Sequence, residues 1–73
     1  MSFPREQREF GKRILNLRRV QRLSQEDLAE VAGLHRTYVG DVERGERNIA
    51  LRNIVRLARA LNVTPSDLLR GIR

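Results

Sequence analysis

The chain has 73 residues, 40% of them hydrophobic, enough for one domain with one small core and too few for a second. It contains no cysteine, which excludes a disulfide framework and a Cys/His zinc cluster and leaves short local contacts to hold the fold. Fifteen basic residues, fourteen of them arginine, face nine acidic ones, giving +6 on 8.5 kDa and a pI near 11.4. A guanidinium fork suits phosphate and guanine edges better than an ammonium does, so this balance favours a polyanionic partner, although it also describes a solubilising surface. No apolar run approaches the ~18 residues of a membrane span. Met1 to Phe10 lacks a signal-peptide stretch, so a cytoplasmic protein with no membrane association is expected.

No repeat, low-complexity tract or linker interrupts residues 1–73, which read as a single domain with helical periodicity throughout. The first helix begins near Pro4, carries Phe10, Ile14 and Leu17 on one stripe, and ends near Arg22. Ser24 offers an N-cap, and Asp27 three residues later completes a capping box with a shortened carboxylate. The helix that follows, Gln25 to Ala32, is expected to bury Leu28, Ala29 and Val31. Gly33 then stands where a left-handed residue commonly stops a helix.

After Leu34 a second short helix runs roughly from His35 to Arg44, with Val39 and Val42 facing inward and Gly45 ending it. A loop, Glu46 to Ala50, leads to a fourth helix with Leu51, Ile54, Val55, Ala58 and Leu61 on one face. Thr64 caps the fifth helix, Pro65 occupies its first position and Asp67 closes the box; Leu68, Leu69 and Ile72 supply its apolar side. The fold class is all-α, with five helices and no strands.

Two short helices joined through a glycine turn, neither stable alone, predict a helix-turn-helix over residues 24–45. Small Ala29 allows a close crossing, Gly33 makes the turn four residues on, and Val39 and Val42 lock the second helix at a fixed angle. The outer face of that helix is left free for a major groove. The segment SQEDLAEVAGLHRTYVGDVERGERN resembles the DNA-binding domain of Cro/cI-type phage repressors, the lambda-repressor-like or XRE-like family. HRTYVGDVERGERN is similar in particular to the controller proteins of restriction–modification systems, and the resemblance spans roughly Ile14 to Gly71.

The resemblance implies a compact five-helix lambda-repressor-like domain that binds double-stranded DNA. Arg36, Thr37, Asp41 and Arg44 would face base edges, Arg36 as a bidentate reader of guanine O6 and N7, its plain alternative being a solvated arginine. Asp41 would accept from a cytosine amino group or else orient Arg44 or Arg36. Tyr38 is assigned to a DNA contact ahead of a place in the core, and His35 to the helix start near backbone phosphates rather than to a metal or catalysis. Gln25, at a helix N-terminus, would clamp a phosphate, joined by Arg47, Asn48 and Arg52; these contacts set register and affinity rather than specificity. Arg18 and Glu43 match a partly buried ion pair of the family, and Leu61, Val63, Leu68, Leu69 and Ile72 are candidates for a two-fold interface, though several must fill the core.

Three positions depart from the family pattern. Gly40 inside the recognition helix either permits close approach to DNA or reflects drift; Ala50 stands where a serine would cap helix four, leaving that start to fray or to use Asn48; Leu15 replaces a basic residue. The leading expectation is a homodimeric, sequence-specific transcriptional regulator on a pseudo-palindromic operator, autoregulatory and controller-like. An antitoxin-type interaction module that also binds its own promoter is the alternative. An enzyme is disfavoured, with one histidine, no cysteine, no phosphate-binding glycine loop and no HExxH. No cofactor, metal or small-molecule ligand is expected, and the deep, narrow major groove of RNA does not admit such a helix.

Overall fold

A computed structural model describes residues 2–73. It contains α1 (Arg5–Val20), α2 (Gln25–Ala32), α3 (Arg36–Glu43), α4 (Leu51–Ala60) and α5 (Pro65–Leu69), with no strand among the described residues. The principal contacts run α1–α3–α2–α4–α5 and back to α1, a closed ring around one core. Every helix contributes to that core: Phe10 and Ile14, Leu28, Ala29 and Ala32, Val39 and Val42, Leu57, Ala58 and Leu61, and Leu68.

Four of the helices end alike. A left-handed residue stands at the cap of α2 and just after the cap of α1, α3 and α4, and the amide beyond it closes back onto the last turn, as Leu23 N–H donates to Arg18, Leu34 to Ala29, Glu46 to Asp41 and Val63 to Ala58. Gly33 and Gly45 hold two of these turns at φ 70° and 79°, as their sequence positions predict. Arg22 and Asn62 hold the other two at φ 58° and 60°; asparagine tolerates this conformation, whereas arginine carries no local signal for it. The expected end of α1 near Arg22 therefore falls at Val20. Both expected capping boxes are present, Ser24 with Asp27 and Thr64 with Asp67, each reciprocal at 2.9–3.1 Å. The start of α4 has no side-chain cap from Asn48 or any other residue.

Two apolar assignments need correction. Val31 is 66% exposed, because the buried face of α2 is centred between Leu28, Ala29 and Ala32 and Val31 lies about a quarter-turn outside it. Leu51 is 73% exposed: it is the first residue of α4, and burial on this helix deepens only toward Leu57, Ala58 and Leu61.

Two features fix α3. The first is the Arg18–Glu43 pair, read in sequence from the family resemblance. Arg18 Nε and Nη2 donate to the two carboxylate oxygens at 2.6 and 3.0 Å, and Nη1 donates to the Leu23 carbonyl at 2.9 Å. The side chains are only 12% and 4% exposed, and the bond to Glu43 raises the Arg18 pKa despite burial. The second feature is Gly11, which the sequence reading missed. A Cβ there would stand 2.3 Å from the Val42 carbonyl oxygen and 2.7 Å from that of Glu43, so only glycine lets α1 cross α3 this closely. Gly40 differs: a Cβ there would meet only the flexible ends of Arg44 and Gln25, at 3.3 and 3.5 Å.

Glu43→Ala is expected to cost about 3–5 kcal/mol by stranding Arg18, a large share of the ~4–11 kcal/mol available to a chain of this length. Denaturant unfolding will measure it, and the double change Arg18→Met, Glu43→Leu should recover much of the loss. In the same assay Gly11→Ala should lose about 3 kcal/mol through overpacking against backbone, whereas Gly40→Ala should gain up to about 1 kcal/mol of helix propensity.

Asp27 and Asp67 are both held below the usual carboxylate range, first by the backbone N–H of Ser24 or Thr64 and then by the hydroxyl of the same residue. Depressed folded-state values mean that the unfolded chain binds protons more readily. The stability they confer is therefore full above the ordinary aspartate pKa of about 3.9 and is lost as pH falls through the folded values. Thermal melts between neutral and strongly acidic pH should show this decline, and Asp27→Asn with Asp67→Asn should flatten it.

Candidate nucleic-acid interface

The helix-turn-helix presents one face of α3 to solvent because the opposite face is consumed by Val39, Val42 and Glu43. Arg36 and Thr37, in its first turn, are exposed. Arg36 is 68% exposed at the side chain and has one distant partner, Glu26 at 3.9 Å. His35 is the exposed N-cap residue and makes no side-chain capping bond. One turn beyond Thr37 lies Asp41, and Arg44 follows three residues later on the same side. Asp41 bonds Arg44 at 2.5 Å and Arg47 at 3.2 Å, so of the two roles considered for it the structure displays the orienting one, with Arg47 rather than Arg36 as the second arginine.

Tyr38, expected at DNA ahead of the core, lies against the core with its hydroxyl at the edge. The half-buried ring packs against the core, and its hydroxyl accepts from Asn53 Nδ2 at 3.1 Å. The Arg47 guanidinium sits 5.1 Å from the ring centroid, a cation–π geometry. A hydroxyl accepting one bond still has its proton to donate, so the position serves the core without losing its polar edge. Asn53 carried no signal in the sequence, since its role exists only because α4 passes beside α3.

Gln25 is the first residue of α2, as required of a phosphate clamp, but its Nε2 donates to Glu43 Oε1 at 2.9 Å. The side chain is thus part of the ion-pair cluster, while the unpaired backbone N–H groups of the first turn remain those a phosphate would meet. Arg47 and Asn48 are exposed in the loop after α3, and Arg52 is exposed in the first turn of α4. Gln7 steadies this loop by donating to the Gly45 carbonyl at 3.1 Å, another contact that no local pattern announced.

The five residues considered for a two-fold interface separate. Leu61 and Leu68 are completely buried in the chain's own core and have no surface to offer a partner, so they are removed from that set. Val63 and Ile72 are half-buried against the core, and Leu69 is 41% exposed. No helix of the described residues is long and apolar enough to cross a membrane, and no group of three or more His, Cys, Asp or Glu among them could hold a metal ion.

Comparison with known proteins agrees with this geometry. The helix-turn-helix family model HTH_3 matches residues 14–68. Control protein C.SmaI of Serratia marcescens is 50% identical over 60 residues, covering 82% of this chain and 71% of that protein. Control protein C.BamHI of Bacillus amyloliquefaciens is 48% identical over 61 residues, covering 82% and 75%. The crystal structure of the restriction–modification controller protein C.AhdI from Aeromonas hydrophila superposes with a TM-score of 0.82 at 52% identity, over 84% of this chain and 92% of that one. With an exposed, arginine-bearing α3 held rigid by α1, and with this match over most of its length, the chain belongs to the helix-turn-helix family and is a DNA-binding transcriptional regulator.

Proposed function

We propose that the protein is a cytoplasmic, homodimeric controller of a restriction–modification system that binds a pseudo-palindromic operator, including one at its own promoter. The observation that carries this reading is the solvent-facing side of α3, where Arg36 and Thr37 are exposed and Asp41 and Arg44 follow on the same side, with Arg47, Asn48 and Arg52 exposed in the loop after α3 and the first turn of α4. Similarity to control proteins over four-fifths of the chain supports the controller assignment. One recognition helix offers few base contacts; two would read half-sites about 34–36 Å apart. Leu69, Val63 and Ile72 are the apolar side chains of the C-terminal segment left for such an interface.

In this reading Arg36 is the principal base reader, since its fork is extended and its single ion pair is long and exposed. Thr37 touches a thymine methyl or a phosphate. Gln25, His35, Tyr38, Arg47, Asn48 and Arg52 grip the backbone and set register. The protein acts by occupancy, blocking polymerase at some sites and recruiting it at others.

The test is a titration against DNA from upstream of the protein's own gene, with a scrambled duplex as control and two salt concentrations. A preference of about 10³ or more for the upstream DNA, with dimer-sized cooperative shifts, is expected. Equal and purely salt-sensitive binding to both would sink the autoregulatory assignment. Arg36→Ala should lose about 1–3 kcal/mol of discrimination at one base pair, while Arg52→Ala should weaken all sequences alike and reduce the salt slope by about one.

A further inference from the structure

Arg44 and Arg47, two of the cations beside the outer face of α3, are not free. Asp41 Oδ1 accepts from Arg44 Nη2 at 2.5 Å, and Oδ2 lies 3.2 Å from Arg47 Nη2 and 3.3 Å from its Nε. One carboxylate thus serves two guanidinium groups. It is only 20% exposed beneath them, while they remain 56% and 50% exposed. Glu46 approaches Arg44 Nε from the other side at 3.4 Å. The backbone under this cluster is fixed, because the Asp41 carbonyl accepts the Glu46 amide across the left-handed Gly45 turn at 2.9 Å. Glu43, the other acid of α3, is buried on Arg18, so Asp41 is the one acid that α3 presents beside its exposed arginines.

A phosphate that approaches either arginine finds part of the guanidinium already held by Asp41 and is repelled by that carboxylate. Both effects subtract from the sequence-independent electrostatic affinity that arginines would otherwise supply. Half-exposed pairs of this kind are weak enough to exchange, unlike the buried Arg18–Glu43 pair. A cytosine N4 amino group is different from phosphate: it donates, and a carboxylate accepts it. Asp41 therefore opposes every backbone equally but is compensated only beside a suitable base pair.

We propose that Asp41 is a specificity-determining residue, which holds Arg44 and Arg47 back from indiscriminate phosphate contact and so widens the gap between operator and random DNA. This rests on the reading of α3 as the DNA-contacting helix. Asp41→Asn keeps the side-chain shape and removes the charge. Fluorescence anisotropy should compare it with the unmodified protein on a random-sequence duplex and on a duplex selected from a random pool by the unmodified protein, over a range of salt.

The expected result is about three- to tenfold tighter binding of the random duplex, a salt slope steeper by about one, and a smaller ratio of selected to random affinity. Unchanged or weaker binding of the random duplex by folded Asp41→Asn overturns the proposal. Should that variant not fold, Glu46→Gln loosens Arg44 through its second carboxylate, and tighter random-duplex binding supports the proposal while unchanged or weaker binding overturns it. Failure of the unmodified protein to bind either duplex overturns the reading of α3 itself, and this proposal with it.

Discussion

The Glu43 carboxylate gathers three helices at one point. It ends α3, takes two hydrogen bonds from Arg18 of α1, and takes a third from Gln25 at the start of α2. Arg18 spends its remaining reach on the Leu23 carbonyl, at the turn where the chain leaves α1 for the helix-turn-helix. A buried ion pair is a poor way to gain stability compared with a well-packed apolar pair. Its consequence here is directional: α3 can neither rotate nor slide without stranding a charge, so the side chains on its outer face are presented at one angle.

Packing enforces the same constraint. Gly11 brings the backbone of α1 against the carbonyls of Val42 and Glu43, and Gly45 also lies close on the backbone of Arg8, where a Cβ would stand 2.8 Å from the Arg8 Cα. The long first helix is therefore a rail along the C-terminal half of α3. The eight-residue helices α2 and α3 are too short to persist alone. They acquire rigidity from this rail and from turns that close each helix onto the next element.

The arginines form a graded series in burial and restraint. Arg18 is sealed and immobile. Arg44 and Arg47 are half-exposed and restrained by Asp41. Arg36 is extended into solvent with one long ion pair. The proposed roles fit that order: a structural cation must not exchange, cations held back from random phosphate are safer when they must compete for it, and the proposed base reader needs its fork available. Composition could not show this gradation, because all four residues count equally toward the net charge of +6.

The sequence alone determined the features that depend on near neighbours. Helix number and type, both capping boxes, the Gly33 and Gly45 turns and the small Ala29 at the crossing were all legible, because each follows from residues within one or two helical turns. The exposed outer face of α3 and the Arg18–Glu43 pair were legible through the resemblance of the motif. Features set by the passage of one helix over another were not. Nothing in the local pattern marked Gly11, Val31 and Leu51 were expected in the core, and Leu61 and Leu68 stood among the candidates for a two-fold interface. The tertiary structure also decided that Tyr38 leans on the core with Asn53 holding its hydroxyl, and that Asp41 faces Arg47 rather than Arg36. In each case the deciding contact joins residues on different elements, or turns on the angle between a helix and its neighbours, and hydrophobic periodicity fixes which face of a helix is apolar without fixing what will cover it.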